Sequence, residues 1–175
     1  MPDAAPYPGM ALEPIAEPPA PPSGVTIVPV TRETLSEHHT MRVGNGLSPD
    51  LARLLYSESF AQDPDVRLFT VRLDGRPVAG SVAIRTGHVG GVYAVATIDS
   101  ARRRGVDTAA SWAAVAAIRD WGCDTVVLQA TEMGYNVYAA MGFRTVVPYA
   151  TLKREAVIRE NARAPVSPQG SDVAR

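Results

Sequence analysis

Between Val92 and Leu128 the hydrophobic period of the chain changes twice, and this constrains the fold more than any other feature of the sequence. Residues 92–97 alternate as a strand does. Ala109, Trp112, Ala113, Ala116, Ala117 and Trp121 then recur at the spacing of a helix with one buried face, and Gly122 ends it. The run Val126-Val127-Leu128 is short, β-branched and bounded by polar residues, as a strand covered on both faces is. Strand, helix and strand in this order form a crossover unit, which joins parallel strands with right-handed topology. The expectation is an α/β fold with a mixed sheet built around that central crossover.

The flanking sequence supplies further elements. Residues 25–30 read as an opening strand, and Thr31 can cap a short helix to about His39. Ser48-Pro49-Asp50 reads as an N-cap, proline in the first turn and an acid beside it, starting a helix to about Phe60. Residues 67–73 and 78–86 read as a hairpin around Asp74-Gly75, and a turn at residues 87–90 leads on. A short helix over residues 137–141 is stopped by Gly142, and strands over 143–147 and 149–152 flank Pro148. Residues 1–23 hold eight prolines and residues 155–175 lose apolar periodicity, so both are expected to be disordered tails. One domain, residues 24–154, is expected between them.

With 175 residues and a formal net charge of -1, the chain suits one domain with no overall pull toward nucleic acid or an anionic membrane. The single cysteine, Cys123, excludes an internal disulfide and cysteine-based zinc patterns; beside a buried strand it reads as a packing residue. No apolar run reaches the length of a membrane span, and a cytoplasmic protein is expected. His38 and His39 are adjacent and lack partners at ligand spacing, so no metal is expected, and His88 reads as a surface turn residue.

Chemistry enters between Val95 and Ala109. Val95, Ala96 and Thr97 close a strand, and Arg102-Arg103-Arg104-Gly105-Val106-Asp107-Thr108 form a basic turn that opens the helix. Unpaired amides and the positive end of a helix dipole bind anions there, and the arginines add charge-assisted donors. A solvated basic turn with no ligand has the same composition. Asp107 has an ordinary reading too, as an N-cap bonding the amides of Ala109 or Ala110.

Arg102 and Gly105 match the turn signature of the GNAT family of acyl-CoA-dependent acetyltransferases: Gln or Arg, two residues, Gly, one residue, then Gly or Ala. Asp107 departs from it. Tyr138-Ala139-Ala140-Met141-Gly142-Phe143 resembles the Tyr, three residues, Gly-Phe ending of the family's fourth helix. The two motifs lie in the family's order with a strand between them, so residues 25–154 resemble a GNAT domain.

The resemblance implies an N-acetyltransferase that moves an acetyl or small acyl group from acetyl-CoA, its acyl-donor cosubstrate, to a small-molecule or peptide amine by direct attack. Val95, Ala96, Thr97, the turn from Arg102 through Gly105 to Thr108, and Thr131, which stands where relatives often carry Asn, would contact the donor. Tyr138 would protonate the leaving thiolate; as a residue it can equally be a core tyrosine. Glu132 is the acid nearest to it in sequence and the candidate base, alongside a water-mediated one. A homodimer is a further family expectation. Asp107 motivates an alternative donor, an acyl carrier or aminoacyl-tRNA, and a binding module without turnover is the third reading.

Overall fold

The computed structural model describes residues 6–150. Their elements are β1 (Pro6–Leu12), β2 (Val25–Pro29), α1 (Leu35–Gly44), α2 (Pro49–Leu55), α3 (Glu58–Ala61), β3 (Val66–Leu73), β4 (Arg76–Thr86), β5 (Val89–Thr97), α4 (Val106–Asp120), β6 (Thr125–Gln129), α5 (Glu132–Ala140) and β7 (Arg144–Ala150). The strands form a seven-stranded mixed sheet in the order β2-β3-β4-β5-β6-β1-β7. Among them only β5 and β6 pair in parallel, joined through α4 as the crossover pattern requires.

α4 and α1 cover opposite faces. Ser81 Oγ in β4 donates to the carbonyl of Ala110 in α4 at 2.6 Å, whereas its neighbour Gly80 faces Met41 and His38 of α1. Alternation along the strand separates the two contacts. The small side chains of Ala109, Ala110, Ala113 and Ala114 let α4 approach the sheet closely; a Cβ on Gly90 would collide with Ile118. Ile118, Val126, Leu128 and Phe143 share one buried cluster with Met10 and Leu12.

The expected tail over residues 1–23 is corrected at residues 6–12, which form an interior strand between β6 and β7. Pro8 and Pro148 do not interrupt the β1–β7 ladder because neither turns its nitrogen toward the other strand. Pro8 stands opposite Pro148. The Pro8 carbonyl instead accepts from Ala130 N–H on the β6 side, so the Pro8–Pro148 pair is a non-hydrogen-bonded one and the nitrogen of Pro148 points to the outer edge of β7. For the same reason β7 runs unbroken through Pro148, where two strands were expected. Residues 1–5 and 151–175 lie outside the described residues.

Two helix boundaries also differ. Thr34, not Thr31, precedes α1, which extends past His39 to Gly44. The helix capped by Ser48, whose side chain accepts from Leu51 N–H, ends at Leu55, and Ser57 caps a separate turn. Tyr56 leaves the helical path to bury its ring against His38.

Candidate active site

β5 leaves the sheet through one 3-10 turn, Asp99–Ala101, and enters α4 through Arg102 to Gly105. Arg103 (φ 61°) and Gly105 (φ 73°) are both left-handed, the second a conformation that glycine adopts without strain. Gly105 is the N-cap of α4 and brings no side-chain bond, so the amides of Val106, Asp107 and Thr108 precede the first intrahelical bond, Ala109 N–H to Gly105 C=O at 3.0 Å. These free amides lie at the positive end of a 15-residue helix, an arrangement that attracts anions.

Asp107 is therefore not the N-cap that one reading of the sequence expected. It lies inside the first turn, where its carbonyl accepts from Ser111 Oγ at 2.9 Å. Arg102 pairs with Asp99 at 2.8 Å and Arg104 with Asp74 at 3.5 Å, both exposed pairs of the kind worth little in water. Arg103 makes no ion pair among the described residues. An arriving anion meets one free guanidinium and two whose present partners are easily exchanged.

The β5–β6 ladder ends at the pair Gly91–Val127, after which β5 continues against β4 alone while Leu128 and Gln129 of β6 pair with β1. The two parallel strands thus part beside the α4 terminus. β5 carries a bulge at the same level: Tyr93 pairs with Val82 and Ala96 with Gly80, so Ala94 and Val95 together oppose Ser81, and Ala94 has φ 50°. Ile98 N–H bonds to Val78 of β4 at 2.9 Å, so by alternation the Thr97 N–H points away from β4, toward the opening. On the α1 side a depression of about 140 Å³ is lined by Tyr93, Val127, Gln129, Met10, Val146 and Tyr149.

Tyr138, on α5, is half-buried, with its ring edge-on to Phe143 at 5.9 Å between centroids. Burial pushes its pKa up, the Ser111 hydroxyl opposes this, and the charge of Asp107 adds to the rise. The side chain packs against the buried cluster to which Trp112, Ala114 and Val115 of α4 belong. Thr131 caps α5, its side chain accepting from Gly134 N–H at 3.2 Å. Glu132 is exposed and lines a separate depression with Tyr7, Pro8, Met133, Tyr135 and Asn136. Six residues before Tyr138 it sits about 120° away around the helix, and the structure does not bring it to the phenol. Cys123 is buried and burial pushes its thiol up, as befits a packing residue.

Sequence reasoning missed the groups beneath α1. His38 Nδ1 lies 3.0 Å from Thr70 Oγ1, Arg42 Nε donates to His38 Nε2 at 3.1 Å, and Arg42 Nη1 donates to the Ala94 carbonyl at 2.5 Å. Burial, with the charges of Arg42 and His39, lowers the His38 pKa to about 3. Arg42 and His38 stand four apart on one helix face, a spacing visible in the sequence, but nothing there marks that face as buried. No group of metal-ligating side chains occurs among the described residues.

The family model for the acetyltransferase (GNAT) domain matches residues 28–136. No curated protein matches the chain. Among solved structures, a GCN5-related N-acetyltransferase from Kribbella flavida is 25% identical with a TM-score of 0.65, the match covering 82% of this chain and 56% of that one. This chain thus spans little more than half the length of that protein. AAC(6')-Iy, solved with the bisubstrate analogue CoA-S-monomethyl-acetylneamine, is 18% identical with a TM-score of 0.63, covering 77% of this chain and 100% of that one. A GCN5-related N-acetyltransferase from Ralstonia eutropha is 20% identical with a TM-score of 0.54, covering 74% and 99%.

Proposed function

Since the chain belongs to the GNAT acetyltransferase family, we propose that it transfers an acetyl or similar small acyl group from acetyl-CoA to the amine of a small molecule. The observation that carries this reading is the conjunction at one place of the parted β5 and β6, the uncapped α4 terminus with its arginine turn, and Tyr138 packed against the buried cluster of α4. The residues fit a CoA thioester: free amides and Arg103 suit its pyrophosphate, and the gap between the strands suits its extended arm. When bound, the thioester supplies an activated acyl carbon.

The chain's own groups then have these roles. The amides of Val106, Asp107 and Thr108, with Arg102 to Arg104, hold the pyrophosphate. Of the β5 residues Val95, Ala96 and Thr97, Ala96 turns its N–H toward β4, and the N–H groups of Val95 and Thr97 donate to the carbonyl oxygen as the amine nitrogen attacks and negative charge collects there. The carbon–sulfur bond breaks, the amine proton leaves to solvent or a base, and Tyr138 donates to the departing sulfur. With its pKa raised above that of a thiol, near 8.5, the phenol stays protonated and stabilises the thiolate by a hydrogen bond more than by complete transfer. Glu132, distant from the phenol, would serve as base only through water. The amine acceptor is a small-molecule one by analogy with the acetylneamine moiety in the AAC(6')-Iy complex.

Calorimetric titration with acetyl-CoA tests the reading, with binding in the micromolar range expected, followed by a screen of neamine, polyamines and amino acids for acyl transfer. Absence of binding up to millimolar acetyl-CoA removes it. That outcome favours the second reading, a GNAT-fold acyltransferase with an acyl carrier or aminoacyl-tRNA donor, which the acidic side chain of Asp107 at the anion terminus supports.

A further inference from the structure

Arg42 is 2% exposed, has no carboxylate partner among the described ion pairs, and leaves its Nη2 without any hydrogen-bond partner. Burying an unneutralised cation is expensive, and an apolar side chain of similar volume would fill the space at lower cost. Several features hold it there. Gly80 lets α1 down onto the sheet: a Cβ at that position would stand 2.7 Å from the Phe69 carbonyl oxygen and 3.2 Å from His38 Cε1. The Tyr56 ring lies 4.7 Å from the guanidinium carbon, and His38, fixed by Thr70, accepts from Nε. Because the arginine can only donate, His38 Nε2 must be bare and its proton is on Nδ1.

The remaining bond, from Nη1, goes to the carbonyl of Ala94, the left-handed residue of the β5 bulge. A trans peptide is planar, so the Val95 N–H is antiparallel to the Ala94 carbonyl. Fixing that carbonyl toward α1 turns the Val95 N–H away from α1, and a cationic donor on the carbonyl polarises the peptide and strengthens the N–H as a donor. We propose that Arg42 is a positioning residue of the acyl-transfer site, which sets the Ala94–Val95 peptide so that the Val95 N–H is presented to the thioester oxygen. The ligand assigned to that N–H rests on the function proposed above; the orientation of the peptide by Arg42 does not.

The test compares wild type with Arg42→Met and Arg42→Lys in two ways. In the free protein, Arg42→Met should shift the Val95 amide resonance and raise its hydrogen exchange by about 10-fold or more while the amides of β3 and α4 stay protected. In turnover, with acetyl-CoA as donor and the best amine of the screen, kcat per acetyl-CoA-binding site should fall by about 10²-fold, the worth of an oxyanion donor. The Kd for acetyl-CoA should stay within about 3-fold, a separation that general loosening of the fold would not give. Arg42→Lys, which keeps charge and a donor, should recover part of kcat and, should the methionine variant not fold, should show the same two effects at smaller size. An unchanged Val95 amide, an unchanged kcat, or parallel losses in kcat and affinity would overturn the proposal. If wild type transfers acyl groups to no amine, the proposed function fails while the Val95 amide still decides the role of Arg42.

Discussion

Arg42 donates its Nε–H to Nε2 of His38, one helical turn earlier on α1, at 3.1 Å. The bond requires a neutral imidazole, and the pKa of about 3, against an ordinary 6.5, keeps it neutral. The unfolded chain therefore takes up this proton first as pH falls, so stability is lost progressively below about 6.5 and down to about 3, by at most about 1.4 kcal/mol per pH unit. Glu37, held low by its hydrogen bonds to Arg72, adds to the loss only below its ordinary value of 4.5. Urea unfolding at pH 7, 6 and 5 should show falling stability, and His38→Gln should remove most of that slope. A slope that survives the substitution would assign the titration to another group.

Tyr138→Phe should lower kcat by about 10- to 100-fold with little change in the Kd for acetyl-CoA, because in the proposed function the phenol acts on the leaving sulfur and not on the pyrophosphate. Steady-state kinetics beside calorimetry separate the two. Unchanged turnover would reduce Tyr138 to a core residue packed on Phe143.

Asp107 would oppose a pyrophosphate at the proposed donor site. A carboxylate about 5 Å from a pyrophosphate repels it by about 3 kcal/mol at an effective dielectric near 20, and solvent over this half-exposed turn reduces that figure. Asp107→Asn should therefore tighten acetyl-CoA binding, by up to about 100-fold at low salt, and should also lower the Tyr138 pKa by removing a charge that raises it. Calorimetry at two salt concentrations checks the first effect. Weaker binding in the variant would mean that Asp107 contacts the donor through its own hydrogen bonds.

Met10 is 1% exposed inside β1. Met10→Ala should cost about 2–4 kcal/mol, read as a lower urea midpoint with an unchanged slope. A disordered N-terminal segment would give no change.

Much of this molecule is local in origin, and those parts could be read from the chain. The alanine-rich helical period of α4, the strand Val126-Val127-Leu128 and the Asp74-Gly75 turn each carry their own backbone preference, so the central crossover follows from residues close in sequence. The arginine turn was legible for the same reason, as were the order and spacing of Gly105 and Tyr138. Interior strand β1 was not, because eight prolines within residues 1–23 signal an unpaired chain, and only the register that sets Pro8 opposite Pro148 as a non-bonded pair keeps the β1–β7 ladder intact. The separation of Glu132 from Tyr138, the bulge at Ala94 and the reach of Arg42 to its carbonyl likewise depend on contacts between residues far apart in sequence. The sequence by itself determined the central strand–helix–strand unit and the basic glycine turn that opens α4. Only the tertiary structure decided which polar groups are buried together, since burial belongs to the packed sheet and its two faces and not to any one segment.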